Sequence, residues 1–311
     1  MSSPALGSRN ETEQLEWRAR EDRLNREMTK RRKLRRMLGH GLAYLALIVI
    51  SIWSLVPLVW ALAASVTPRE AIFENANPFS WRAFWPQHPT LAAYQSILLS
   101  SAFPRALGNT IFVCAVTVLA GLLINSLAGF AFALFDFPGR TILFFFVLIT
   151  FMVPFEILGI PLYIMVTDVH LTNTYQALII PFVANGLVVF LFRQFYATLP
   201  KDLLDAGRID GLSWFGIYRR IVVPLSVPVM ISAGIILFLS QWESFFWPLL
   251  VATTPDIQMV QVVLAEYRGQ YGSNWDQLFS ESIVIVVIPA IILLVLQRYF
   301  VTSVATTGIK E

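Results

Sequence analysis

The sequence predicts an all-α integral membrane protein with six transmembrane helices. Hydrophobic residues make up 56% of the 311 residues and charged residues only 14%, too few to cover a soluble surface of this size. Six apolar stretches are each roughly 20 residues long or longer, as a hydrocarbon core of ~30 Å requires. We predict helices because a helix satisfies its own backbone hydrogen bonds in lipid.

Residues 1–40 form a charged N-terminal tail ahead of the first span. The tail holds eleven Lys and Arg residues and six acidic residues, and the basic residues are concentrated toward Lys30–Arg36. Charges of both signs at three- and four-residue spacing favour a helix. Two interpretations stay open: the basic end fixes the topology, or the tail also attaches to anionic lipid.

Residues 41–311 form the predicted six-span domain. The predicted spans lie near residues 41–66, 108–134, 141–163, 174–196, 224–249 and 282–300. With a cytoplasmic N-terminus, all but four of the 23 Lys and Arg residues fall on the cytoplasmic side; the exceptions are Arg69, Arg82, Arg105 and Arg268. Because basic residues favour the cytoplasmic side, we expect both termini and the loop 197–223 to be cytoplasmic.

Two sizeable loops are predicted on the outer side, at residues 67–107 and 250–281. Both contain aromatic residues, among them Trp81, Trp85 and Trp275. Trp and Tyr residues at such positions either form a belt at the lipid interface or provide a surface for an external partner.

The loop 197–223 is the one long polar segment between apolar spans in the C-terminal two-thirds of the chain. Pro200 suits the start of a short helix. Asp210 and Gly211 predict a turn, since glycine adopts a positive φ without steric cost. Ser213 is a predicted cap for a second helix that continues toward the next span. Such a pair of helices is either an ordinary cytoplasmic loop or a docking site for a soluble partner.

The same loop resembles the cytoplasmic EAA loop of permease subunits of ATP-binding-cassette (ABC) importers, of the maltose/glycerol-3-phosphate carbohydrate type. The matching residues are Arg193-Gln194-Phe195, Leu199-Pro200, Asp205-Ala206, Ile209-Asp210-Gly211 and Pro224-Leu225-Ser226-Val227-Pro228. The chain has Asp205-Ala206-Gly207 where the family usually has Glu-Ala-Ala. Further matches outside the loop include Asn109-Thr110, Asn125-Ser126, Phe137-Pro138-Gly139-Arg140, Gln241-Trp242 and Gln297-Arg298-Tyr299-Phe300-Val301.

The resemblance implies a type I ABC importer permease with the MetI-like fold and cytoplasmic coupling helices. It also implies residues that couple the permease to the ATPase: Leu204, Asp205, Ala206, Gly207, Ile209, Asp210, Gly211 and Leu212. The implied partners are a second homologous permease, an ATPase dimer that binds Mg-ATP, and an extracytoplasmic solute-binding protein. The implied location is a bacterial or archaeal cytoplasmic (inner) membrane, with lipid around a multi-pass chain.

The implied function is ATP-driven import of a sugar or oligosaccharide. Glycerol-3-phosphate or another polar solute is an alternative substrate. A secondary transporter is a less favoured alternative, since the sequence shows neither paired ionisable residues at mid-membrane nor inverted repeats. An intramembrane protease or transferase is the enzyme alternative, but no catalytic constellation is visible.

Several functions are disfavoured by what the sequence lacks. It contains no GxxxxGK[ST] motif, so we expect no ATP site and no cofactor in this chain. The single cysteine, Cys114, and the scattered histidines His40, His88 and His170 offer no disulfide framework or metal-ligand spacing. We expect no nucleic-acid partner.

The predicted translocation path centres on Glu243, which stands where the family usually has Asn. Glu156 and Glu243 are the only carboxylates predicted within the spans, and a charged residue there usually faces a wet cavity or a partner. Aromatic faces and carboxylates bind the C–H surfaces and hydroxyl groups of sugars. The predicted path residues are Gln241, Trp242, Glu243, Phe245 and Glu156. An equally open interpretation is that Glu243 hydrogen-bonds the neighbouring permease.

Overall fold

The computed structural model describes residues 11–74, 80–100, 102–270 and 274–307. The chain divides into two structural units, Met1–Trp60 and Ala61–Glu311. The helices are α1 (Glu11–Ser65), α2 (Ala92–Leu99), α3 (Ala102–Leu134), α4 (Arg140–Met152), α5 (Phe155–Asp168), α6 (Tyr175–Val183), α7 (Gly186–Ala197), α8 (Lys201–Ile209), α9 (Trp214–Ile217), α10 (Val223–Leu225), α11 (Val227–Trp242), α12 (Phe246–Val251), α13 (Val260–Gln270) and α14 (Trp275–Thr307). The predicted boundary at residues 40 and 41 lies inside α1.

Three helices in the described part of the chain are long and apolar enough to cross a membrane. They are the segment Gly39–Ser65 of α1, the whole of α3, and the segment Trp275–Gln297 of α14. Three bent pairs have the necessary length and composition when taken together: α4 with α5, α6 with α7, and Trp214–Leu225 with α11. Counting each bent pair as one span gives up to six spans, the number that the sequence predicts.

The predicted third span is sharply bent rather than straight. Helices α4 and α5 meet at 101°. Val153 has extended backbone angles, φ −82° and ψ 122°, and it directly precedes Pro154. The bend follows because the proline ring disfavours helical geometry in the residue before it.

The predicted fifth span, near residues 224–249, is not one continuous helix. Helix α11 ends at Trp242, and a new helix, α12, begins at Phe246. Pro248 explains the interruption: in a continuous helix its ring would clash with the carbonyl group of Ser244, four residues earlier. The break places Glu243 at the C-terminal end of α11 instead of inside a span.

Helix α3 is the central element of the unit Ala61–Glu311. It packs against α6, α7, α11 and α13. One hydrophobic cluster joins Phe130, near the C-terminal end of α3, to Phe192 and Tyr196 of α7 and to Ile217 and Val222 of the loop 197–223. This cluster attaches the polar loop to the membrane-spanning helices.

Candidate functional sites in the loop 197–223 and at the α11–α12 junction

The turn after α8 is a Schellman motif built on Gly211. Gly211 has φ +80°, and its N–H donates to the carbonyl oxygen of Arg208 at 3.1 Å. The N–H of Leu212 donates to the carbonyl oxygen of Gly207 at 3.0 Å. These two bonds satisfy carbonyl groups at the end of α8 and fix the direction in which the chain leaves it.

The second helix of the loop is shorter than the sequence suggests. Ser213 caps α9, and its hydroxyl oxygen accepts the N–H of Gly216 at 3.1 Å. The helix is only Trp214–Ile217, and Tyr218–Val222 continue it as a π-helical turn before α10. Short π-helical segments frequently occur at functional sites, where the extra residue per turn re-aims the side chains.

The predicted coupling residues divide into two faces. Leu204 and Gly207 are buried, and a Cβ atom on Gly207 would lie 2.8 Å from the Cδ1 of Ile221. Leu212 is half-buried, whereas Asp205, Ala206, Ile209, Asp210 and Gly211 are exposed. The buried residues therefore hold α8 against the following helices, and the exposed ones form the surface available to a partner.

Arg208, which no sequence pattern indicated, connects the two short helices. Its guanidinium group lies 5.1 Å from the ring centre of Trp214 and donates to the carbonyl oxygen of Leu212 at 3.3 Å. The ring of Trp214 also meets Phe135 edge to face, with ring centres 4.9 Å apart. No sequence spacing signalled this role, because an arginine at a helix end is ordinary.

At the α11–α12 junction, Gln241 and Trp242 lie inside the protein. Gln241 is fully buried, and its Nε2 donates to the carbonyl oxygen of Leu178 at 3.3 Å. The side chain of Trp242 is 2% exposed, and its carbonyl oxygen accepts Nε2 of Gln261 at 3.2 Å. Within this chain, the side chain of Gln241 binds the backbone of α6, and both residues offer little surface to a solute.

The other predicted path residues are exposed. Glu243 and Phe245 are exposed at the break, and Glu156 is exposed in the first turn of α5. Helix α5 packs closely on α12, since a Cβ atom on Gly159 would collide with the ring of Phe246. The two carboxylates therefore lie close in sequence to this contact between α5 and α12. Glu156 is three residues before Gly159, and Glu243 is three residues before Phe246.

Glu281, which the sequence places outside the spans, lies within the candidate membrane span Trp275–Gln297, so the expectation that Glu156 and Glu243 are the only carboxylates within spans is wrong. Helix α14 begins at Trp275, whereas the predicted span begins at residue 282. Glu281 is fully buried, and neither carboxylate oxygen has a hydrogen-bond partner in the described part of the chain. The apolar pattern failed to signal it because an acid directly before a span is ordinary. Within the same described ranges, no group of His, Cys, Asp and Glu residues could hold a metal ion.

Comparison with known proteins decides the family. The family of binding-protein-dependent transport system inner membrane components matches residues 121–306. This chain belongs to that family. The permease is 34% identical over 275 residues to the arabinooligosaccharides transport system permease protein AraQ of Halalkalibacterium halodurans, covering 88% of this chain and 96% of the relative.

Two further comparisons agree with this family. The permease is 29% identical over 287 residues to the sn-glycerol-3-phosphate transport system permease protein UgpE of Rhizobium meliloti, covering 90% of this chain and 99% of the relative. It also matches a chain of a bacterial ABC transporter that imports the acidic polysaccharide alginate. That match has a TM-score of 0.73 at 22% identity and covers 85% of this chain and 97% of the other, which establishes the fold. The permease is therefore the membrane component of a binding-protein-dependent ABC importer.

Proposed function

We propose that this permease forms half of the translocation path of an importer for a neutral sugar or oligosaccharide. The other half is a second homologous permease, an ATPase dimer with bound Mg-ATP drives transport, and an extracytoplasmic protein delivers the solute. The membership of the family supports this assembly. The chain spans the cytoplasmic membrane with both termini inside, as the distribution of its basic residues favours.

The observation that carries the coupling role is an exposed apolar surface on α8 and α9. Ile209 is 86% exposed and Phe215 is 65% exposed, although both lie in the polar loop 197–223. Large exposed apolar side chains within one otherwise polar loop favour a protein–protein contact. The Schellman motif at Gly211 and the contact between Arg208 and Trp214 hold these two side chains in a fixed arrangement.

We expect Ile209→Asn to weaken ATPase binding. In the complete transporter, this variant should co-purify with less ATPase and show reduced ATP-driven uptake at unchanged membrane abundance. Leu99→Asn is the matched control, since Leu99 is also 86% exposed but lies at the end of α2, outside the loop. Equal ATPase recovery with Ile209→Asn and the wild type would refute docking through this surface.

A neutral sugar is favoured over glycerol-3-phosphate by the charges near the α5–α12 contact. The exposed carboxylates of Glu156 and Glu243 accept hydrogen bonds from hydroxyl groups, whereas they repel a phosphate. The arabinooligosaccharide relative supports the same substrate class, and the glycerol-3-phosphate relative makes that anion the second candidate.

Competition separates the two substrates. Uptake of a labelled neutral oligosaccharide by proteoliposomes that contain the complete transporter and its binding protein should be unaffected by excess glycerol-3-phosphate. Uptake of labelled glycerol-3-phosphate without uptake of any neutral sugar would assign the anion instead.

A further inference from the structure

The span formed by α6 and α7 contains a break whose backbone groups are bound by side chains from other helices. Pro181 in α6 has no N–H, so the carbonyl oxygen of Ala177 lacks its usual helical donor. The indole Nε1 of Trp247 donates to this oxygen at 2.9 Å. Ala184, between the two helices, is extended, with φ −92° and ψ 118°. Irregular backbone at membrane depth persists only where such groups find partners.

Asn125 of α3 binds both sides of this break. Its Oδ1 accepts the N–H of Asn185 at 2.8 Å, and its Nδ2 donates to the carbonyl oxygen of Val183 at 2.7 Å. Nδ2 also donates to the carbonyl oxygen of Gly121, one turn earlier in α3, at 2.7 Å. Asn125 is fully buried. A carboxamide presents a donor and an acceptor together, so Asn125 replaces a peptide group at the break.

The break is also enclosed sterically. A Cβ atom on Gly186, the first residue of α7, would collide with the carbonyl oxygen of Val147 in α4. The same closeness holds further along α7, at Phe192. A Cβ atom on Gly129 of α3 would lie 2.5 Å from the Cβ of Phe192. Helix α7 therefore contacts α3 directly, and the two helices cannot slide past each other without separating.

Ser126, the residue after Asn125, binds the loop 197–223 through a hydrogen bond. The hydroxyl groups of Ser126 and Tyr218 lie 2.7 Å apart in a hydrogen bond, and both side chains are buried. Tyr218 is the first residue of the π-helical turn and meets Phe130 of α3 edge to face, with ring centres 5.3 Å apart. Two consecutive residues of α3 thus bind the start of α7 and the end of α9.

We propose that Asn125 is a positioning residue for transport: with Ser126, it makes α3, α7 and the loop 197–223 move as one body. Helix α7 leads into α8 within a few residues, so a displacement of the loop reaches the α6–α7 break along a direct path. When Asn125 fixes the break, that displacement moves the spans. When the break is loose, the loop moves without them. The inference rests on the proposed coupling to a partner ATPase.

The test measures uptake per ATP hydrolysed in proteoliposomes that contain the complete transporter and solute-loaded binding protein. Asn125→Leu keeps the size of the side chain and removes its hydrogen bonds, so the ratio should fall about fivefold or more, a typical allosteric coupling. Asn109→Leu is the matched control. Asn109 is a buried amide of the same helix that donates to the carbonyl oxygens of Asp256 and Gln258, at 2.9 and 3.0 Å, ~24 Å away along α3.

We expect Asn109→Leu to lower stability and yield while keeping the wild-type ratio. Ser126→Ala and Tyr218→Phe test the same coupling while leaving the side-chain amide of Asn125 intact. Each should lower the ratio, and the double variant should lower it no further than either single change, because both remove the same bond.

An unchanged ratio in Asn125→Leu, or an equal fall in Asn109→Leu, would overturn the proposal. If Asn125→Leu does not accumulate, an unchanged ratio in both hydroxyl variants would overturn it. Wild-type vesicles that hydrolyse ATP without any uptake would instead refute the proposed function.

Discussion

Gly211→Val tests whether the turn between α8 and α9 positions the exposed apolar surface of these two helices for the ATPase. Gly211 has φ +80°, and no atom would lie within 4 Å of an added Cβ. The cost of the substitution is therefore backbone strain alone. An L-residue pays about 1–2 kcal/mol in left-handed geometry, and a β-branched residue lies at or above the upper end.

The chain can relieve this strain only by giving up the turn. Doing so breaks the hydrogen bonds from Gly211 to Arg208 and from Leu212 to Gly207, each worth about 1 kcal/mol. Strain and relief are thus of similar size, about 2 kcal/mol, so the strained turn and the relaxed chain are about equally populated and the fraction of molecules that can dock falls about twofold. The apparent affinity for the ATPase falls by the same factor.

The assay is ATPase recovery and ATP-driven uptake at equal membrane abundance. Gly139→Val is the matched control, because Gly139 also has φ +80° and open space around its Cβ position but lies between α3 and α4. Gly211→Asn should be tolerated, since Asn adopts left-handed geometry more readily. Normal uptake in Gly211→Val, or an equal loss in Gly139→Val, would refute the reasoning.

Three further predictions concern the solute, the tail and the topology. Glu243→Gln should lower uptake more at limiting than at saturating solute, because the side chain keeps its shape and loses its charge; unchanged concentration dependence, even in Glu243→Ala, would remove Glu243 from the path. Deleting residues 1–29 while keeping Lys30–Arg36 should preserve orientation and uptake, since basic residues nearest the span dominate topology; lost uptake in a correctly inserted, abundant truncation would reveal a contact made by the tail. In a Cys114→Ala background, an impermeant thiol reagent outside intact cells should label Trp85→Cys and not Asp205→Cys; the reverse pattern would invert the topology.

Sequence patterns predicted the features that depend on neighbours along the chain. Six spans followed from apolar length, because a helix closes its hydrogen bonds within a few residues. The turn at Gly211 and the cap at Ser213 followed from local conformational preferences, and the structure has both. The family resemblance rested on residues of the same loop and on scattered matches elsewhere.

The inner and outer faces of the coupling loop depended on tertiary packing. The residue types in α8 do not predict that Leu204 and Gly207 are buried while Ile209 is 86% exposed. That division arises because Ile217 and Ile221, which follow the turn, pack back against α8.

Only the tertiary structure decided where the spans break and which polar side chains bind the breaks. Pro248 explains the end of α11 once the helix is seen, but prolines also lie inside α5 and α14 without ending them. The outcome depends on whether other helices supply partners for the freed backbone groups. Asn125 meets Asn185 across 60 residues, and such long-range pairs leave no periodic signal in the sequence. Burial of Glu281 was hidden for the same reason: it is set by helices that pack on α14, not by the residues beside it.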